Sequence, residues 1–126
     1  MENLAPRPLR ALVADDQPDI VRLIKLALEY EGVSVCTCLD GAEALKRLSE
    51  ERFDVLILDI TMPVKDGIEV LREVRLNPET EDVMVIMLTG RTREEDVMQG
   101  YHFGADIYLT KPVSLGELQT IVRSIQ

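Results

Sequence analysis

Four short apolar runs each lead into residues that can do chemistry. Residues 9–14 run into Asp15 and Asp16, 55–58 into Asp59, 83–88 into Thr89, and 107–109 reach Lys111 through Thr110. A fifth run, 33–38, lies between the first two. These runs are strand-length, and the segments between them carry apolar residues at helical spacing. Strands alternating with helices predict an α/β fold with a parallel sheet covered on both faces, so the strands are expected to be buried on both sides. In open sheets of this kind ligands gather outside the carboxyl ends of the strands. The polar residues at the strand ends are therefore expected to meet in one crevice.

The helical segments carry their own punctuation. One spans 18–31, with Ile20, Ile24, Ala27 and Leu28 as its inner stripe and Gly32 as its stop. The second opens at Asp40, with Glu43 at capping-box spacing, and turns Ala44, Leu45 and Leu48 inward. A third begins near Gly67, holds Ile68, Leu71 and Val74, and stops before Pro78, because the residue preceding a proline is pushed out of helical geometry. The fourth opens at Thr92 with Glu95 three residues on, and the fifth at Ser114 with Glu117. Leu115, Leu118, Ile121, Val122 and Ile125 form the last inner stripe, in which Gly116 costs about 1 kcal/mol relative to Ala.

Composition removes several alternatives. A length of 126 residues suits a single core. The formal charge of −9, with both signs interspersed, weighs against direct binding to nucleic acid or an anionic membrane. The N-terminus has no apolar run long enough for a signal peptide or a membrane span, and Pro6 and Pro8 interrupt it. A cytoplasmic location and a flexible segment over 1–7 are expected. Cys36 and Cys38 sit two apart on one strand, which suits packing and strains a disulfide. Two cysteines and one histidine are too few for zinc. His102 has no companion nucleophile or ligand set, and Met84, Met87 and Met98 read as core filler.

The acid cluster defines the chemistry. Three carboxylates within a few ångströms repel one another by several kcal/mol at an effective dielectric near 20, so cations must compensate. Lys111 supplies one charge, and the remainder calls for a divalent ion. Oxygen ligands favour Mg²⁺ or Mn²⁺ over zinc. Asp16 and Asp59, helped by Asp15, are the candidate ligands, with a coordination position left for a phosphoryl oxygen. A carboxylate at such a site can also act as nucleophile and become an aspartyl phosphate. Asp59 fits best, because it opens the loop 60–67, where Pro63 and Gly67 set a fixed turn. Thr89 and Lys111 are placed to hold phosphoryl oxygens as charge develops on them.

These residues carry a resemblance. Asp15-Asp16, the segment Asp59-Ile60-Thr61-Met62-Pro63 with Asp66-Gly67, Thr89-Gly90, and the run from Gly104 through Lys111-Pro112 resemble the receiver domain of two-component response regulators, over nearly the whole chain. The resemblance implies a flavodoxin-like (βα)5 three-layer sandwich with strand order 2-1-3-4-5, and a single receiver domain over 1–126 with no output domain inside it. It implies phosphoryl transfer onto Asp59 from a phosphohistidine on a histidine kinase or phosphotransfer protein. Mg²⁺ would be bound by Asp16, Asp59 and the backbone carbonyl of Thr61, with Asp15 assisting through water. It further implies a cis Lys111–Pro112 bond, a Thr89–Tyr108 switch, and a readout face of helix four, strand five and helix five. That face would signal to an output domain or downstream protein, or form a homodimer. On this reading the chain is no enzyme beyond promoting its own phosphorylation and dephosphorylation.

The rivals fit less well. A haloacid-dehalogenase-like phosphatase needs a second Asp two residues after the nucleophile, where Thr61 stands. A flavin-binding module would set Asp15 and Asp16 against the phosphate. A degenerate receiver serving as an unphosphorylated interaction module lacks the defects that would mark it. Departures from the usual pattern are Val113 after Pro112, the aromatic run Tyr101-His102-Phe103, and Thr61 and Arg91, at positions that influence phosphoryl lifetime in such domains. Arg91 is expected to lengthen that lifetime by shielding the site.

Overall fold

The computed structural model describes residues 7–90 and 104–126. Strands β1 (Arg10–Ala14), β2 (Ser34–Cys38), β3 (Val55–Asp59), β4 (Met84–Thr89) and β5 (Ile107–Thr110) form one parallel sheet in the order β2-β1-β3-β4-β5. Helices α1 (Pro18–Tyr30), α2 (Gly41–Glu50), α3 (Gly67–Leu76) and a C-terminal helix (Leu115–Ile125) cover it. The expected fourth helix from Thr92, together with Arg91, Met98, Tyr101, His102 and Phe103, lies outside the described residues, as do the first six of the N-terminal residues expected to be flexible.

Two-residue alternation along the strands sorts the apolar side chains into two layers. Leu12, Leu56, Leu58, Val85 and Met87 face α2 and α3, packing on Ala44, Leu48, Val70, Leu71 and Val74. Ala11, Val13, Val55, Ile57, Ile86 and Leu88 face α1 and the C-terminal helix, packing on Ile24, Leu28, Leu118 and Val122. The result is the flavodoxin-like three-layer sandwich. Cys36 and Cys38 are free thiols on the α2 side, as packing residues should be, and burial pushes the Cys38 thiol up to about 12.

Several local expectations change in detail. Burial on both faces holds for β1, β3 and β4, whereas β2 and β5 are edge strands, with Val35, Cys36, Thr37, Ile107 and Tyr108 half-buried. An edge strand has a neighbour on one side alone, which leaves its flank open. Val21 joins the α1 core and Val70 the α3 core, while Ile20 and Ile68 are half-buried at the margins. A 3.6-residue period leaves a one-residue ambiguity at a stripe's edge, which tertiary packing resolves. Asp40 caps α2 by accepting from the Glu43 amide, and Ser114 caps the C-terminal helix by accepting from the Glu117 amide at 3.1 Å. The reciprocal box forms at α3, where Asp66 accepts from the Glu69 amide and the Glu69 side chain accepts from the Asp66 amide. Its Asp-x-x-Glu spacing is legible in the sequence but was not singled out there.

Candidate functional site

The sheet order determines what the strand ends can do together. With β1 beside β3 and β3 beside β4, Asp15 follows Ala14, Asp59 closes β3 opposite Leu88, and Thr89 ends β4 opposite Thr110. The Lys111 amide donates to the Thr89 carbonyl at 2.7 Å, extending the ladder one residue past β5. Asp15, Asp59 and Thr89 are buried, and Asp16 is exposed at the mouth. The crevice therefore has two buried acids at its floor and one at its lip.

Asp15, Asp16 and Asp59 each offer a carboxylate oxygen within 4.8 Å of the others. Lys111 Nζ lies 2.9 Å from Asp15 Oδ2 and 3.3 Å from Asp59 Oδ2. Oδ2 of this fully buried carboxylate faces the ammonium as an ion pair. Its partner Oδ1 accepts from the Gln17 amide at 3.0 Å. Two buried carboxylates sharing one ammonium leave negative charge uncompensated, which is costly away from water. Three acids around one ammonium fit a hard divalent cation, and Asp15, Asp16 and Asp59 are the residues able to hold one.

Burial pushes the Asp59 carboxyl up to about 6; the charge of Asp15 adds to the rise, and Lys111 only partly offsets it. For Lys111, burial works against the ammonium, but the contact with Asp15 and the charges of Asp59 and Asp15 outweigh it and hold the group above the ordinary lysine range. The acid and its cation are thus coupled: each favours the charged form of the other.

The loop after Asp59 is built by close backbone approach. The Ile60 amide donates to the Leu88 carbonyl at 2.9 Å, and the Gly67 amide to the Ile60 carbonyl at 2.8 Å. A Cβ at Gly67 would overlap the Asp59 carbonyl oxygen, so the first residue of α3 has to be glycine for the loop to close. On its other side, a Cβ at Gly41 would overlap the Lys65 carbonyl, which makes the first turn of α2 a second wall. Gly41 was not singled out in the sequence, because nothing local marks a contact spanning two crossovers. Pro63 is exposed, and the Lys65 amide donates to its carbonyl at 2.8 Å. Val64, beside it, has φ +68°. The Thr61 amide approaches Asp59 Oδ1 at 3.4 Å.

The Lys111–Pro112 bond is cis. Tyr108 is half-buried, packed toward the α2–α3 layer. A groove between residues 48–54 and 78–83 lies at the opposite end of the sheet and contains none of these groups.

Comparison with known proteins agrees with this arrangement. The profile of the response regulator receiver domain matches residues 11–123. Among relatives, the transcriptional regulatory protein TrcR of Mycobacterium tuberculosis is 42% identical over 120 residues, covering 94% of this chain and 45% of TrcR. PhoP, the alkaline phosphatase synthesis transcriptional regulatory protein of Bacillus subtilis, is 40% identical over 118 residues, covering 92% and 48%. The chain thus spans about half the length of the curated relatives it matches. Among solved structures, the chemotaxis response regulator CheY4 of Vibrio cholerae superposes with a TM-score of 0.87 at 32% identity, covering 94% of this chain and 99% of that one. The receiver domain of Francisella response regulator 1452 gives 0.85 at 35%, covering 93% and 95%. With its sheet order, its strand-end acids and these likenesses, the chain belongs to the response regulator receiver domain family.

Proposed function

We propose that this receiver accepts a phosphoryl group on Asp59 from the phosphohistidine of a histidine kinase or histidine phosphotransfer protein and passes the change to an output domain or downstream protein. The observation that carries the reading is one crevice holding Asp15, Asp16 and Asp59 within 4.8 Å, with Lys111 between two of them. In the transfer a bond forms from an Asp59 carboxylate oxygen to phosphorus while the phosphorus–imidazole nitrogen bond breaks, and the nitrogen takes the electron pair. Asp59 must be ionised to attack, and with its carboxyl pushed up to about 6 it is so at neutral pH.

Asp15, Asp16 and Asp59, with the Thr61 carbonyl, would hold Mg²⁺, which supplies charge neutralisation for the incoming phosphoryl oxygens. Lys111 reaches Asp59 from the β5 side and stabilises negative charge on the transferred group; Thr89 offers a hydroxyl from the end of β4. Pro63, Gly67 and Pro112 fix the turns that hold these groups. After transfer, Lys111 gains a phosphoryl oxygen as partner, and Thr89 and Tyr108 form the switch, with β5 and the C-terminal helix in the readout face. A homodimer through that face is one way to signal. TrcR and PhoP are transcriptional regulators whose remaining half lies outside the match, and we assign this chain the corresponding regulatory role.

Intact mass after incubation with acetyl phosphate tests the reading. A gain of one phosphoryl group that requires Mg²⁺ and disappears in Asp59→Asn is the expected result. No gain, with folding and Mg²⁺ binding verified, overturns it in favour of an unphosphorylated interaction module.

A further inference from the structure

At the opposite end of the molecule from Asp59, one guanidinium gathers four acceptors. Arg75, in the last turn of α3, donates from Nε to the Gly104 carbonyl at 2.9 Å, and from Nη1 to the carbonyls of Glu81 at 2.7 Å and Val83 at 2.6 Å. Its Nη2 donates to Asp106 Oδ2 at 3.0 Å. The same Oδ2 accepts from the Val85 amide at 2.8 Å, while the Asp106 amide donates to the Val85 carbonyl at 2.9 Å. Arg75 thus joins three pieces of chain: the end of α3, the lead into β4 and the lead into β5. The arginine side chain is 18% exposed, so this is a packed junction. Gly104, at φ +95°, presents its carbonyl there, and a Cβ on it would press on Arg75 Nε at 3.1 Å.

The consequence lies at the other end of β5. That strand has four residues and, among the described residues, sits at the sheet edge and pairs with β4 alone. Its register, Ile86 opposite Ile107 through Thr89 opposite Thr110, begins one residue after Asp106 and ends one residue before Lys111. A strand with a single neighbour and so few rungs has little of its own to resist slipping, and a one-residue slip turns every side chain to the other face. Such a slip would take Lys111 Nζ away from its 2.9 Å and 3.3 Å contacts with Asp15 and Asp59.

We propose that Arg75 is a positioning residue for Lys111: by tying Gly104 and Asp106 to α3 and to the start of β4, it holds β5 in the register that delivers the ammonium to the acid cluster. The inference deepens the phosphoacceptor reading and rests on it for its functional consequence. A planar fork of donors suits the task, since the five N–H groups of a guanidinium can serve all four acceptors, where an ammonium has three.

The test is a double-mutant cycle in the full chain, with Arg75→Ala and Arg75→Lys each made in the unmodified and Lys111→Ala backgrounds. Initial rates of Mg²⁺-dependent phosphorylation by acetyl phosphate are measured, alongside the Lys111 Cε–H resonance in ¹³C-lysine-labelled protein. Expected are a slowing of about tenfold for Arg75→Ala in the unmodified background, a smaller one for Arg75→Lys, and none in the Lys111→Ala background, because residues that act as a unit are not additive. The Lys111 resonance should also move in Arg75→Ala. Equal slowing in both backgrounds, or a Lys111 resonance that stays in place, overturns the proposal. Should Arg75→Ala fail to fold, as thermal melting will reveal, Arg75→Lys carries the same comparison. If the unmodified chain takes up no phosphoryl group, the phosphoacceptor reading fails, and the resonance still decides whether Arg75 positions Lys111.

Discussion

Lys111 stands closer to Asp15 than to Asp59, 2.9 Å against 3.3 Å, although Asp59 is the candidate nucleophile. Among the described residues this ammonium is shared between the two acids, and Asp59 is left undercompensated. Burial pushes its carboxyl up, the charge of Asp15 adds to the rise, and the shared lysine offsets it only in part, while the contact with Asp15 and the charges of both acids hold the lysine charged.

Asp59→Asn should stabilise the metal-free protein at pH 7 by about 1–3 kcal/mol, since each pKa unit corresponds to about 1.4 kcal/mol and Lys111 loses a partner in exchange. The folded carboxyl at about 6 lies above the ordinary aspartate value. Stability linked to its proton is thus fully present below about pH 4 and is lost as pH rises through about 6. The variant's advantage should fade towards pH 4. Urea melts of both proteins at pH 4 and pH 7 check this; an equal advantage at both pH values would contradict it.

Protons and Mg²⁺ should compete for Asp59. With a carboxyl near 6, about one molecule in ten is ionised at pH 5, so Mg²⁺ affinity should fall about tenfold between pH 7 and pH 5. Isothermal titration calorimetry at the two pH values measures it. Asp16→Ala should weaken Mg²⁺ binding with little change in metal-free stability, because this acid is exposed at the mouth of the crevice.

Gly41→Ala should destabilise the fold by about 1–3 kcal/mol and slow phosphorylation, because the added methyl meets the Lys65 carbonyl, a backbone atom that cannot swing aside. A chemical melt and the acetyl phosphate rate read the two effects. Ala at position 41 would be neutral if the α2 turn could shift without moving the loop.

Val64→Asn should stabilise by about 1 kcal/mol. A β-branched residue at φ +68° pays a steric cost that Asn largely avoids, and the valine side chain, 76% exposed, has little burial to lose. A rise in Tm at unchanged acetyl phosphate rate is the expected outcome; a fall would mean that the valine packs in a way its exposure hides.

The readings that came from the sequence share a physical origin. Apolar runs of strand length, helical periods and turn residues are local, so the alternation of strands and helices and the polar residue at each strand end could be read directly. The expectation that Asp15, Asp16, Asp59 and Lys111 meet at one edge followed from the parallel sheet, and the structure brings them together. Thr89 lies at the same edge by its register opposite Thr110.

Other features needed the packed chain. That Lys111 divides itself between two acids and that Gly41 walls the Lys65 loop are contacts between residues far apart in sequence, and no local pattern encodes them. Burial, not residue type, separates the buried Asp15 from the exposed Asp16, although the two are adjacent and chemically identical. The Arg75 junction is of the same kind: an arginine in the last turn of a helix reads as a solvated cation until β4 and β5 close around it. The chain by itself determined which chemistry its strand ends carry, because residue type and period are local properties. The tertiary structure decided how charge is shared among them, because desolvation and distance exist only after the strands have paired.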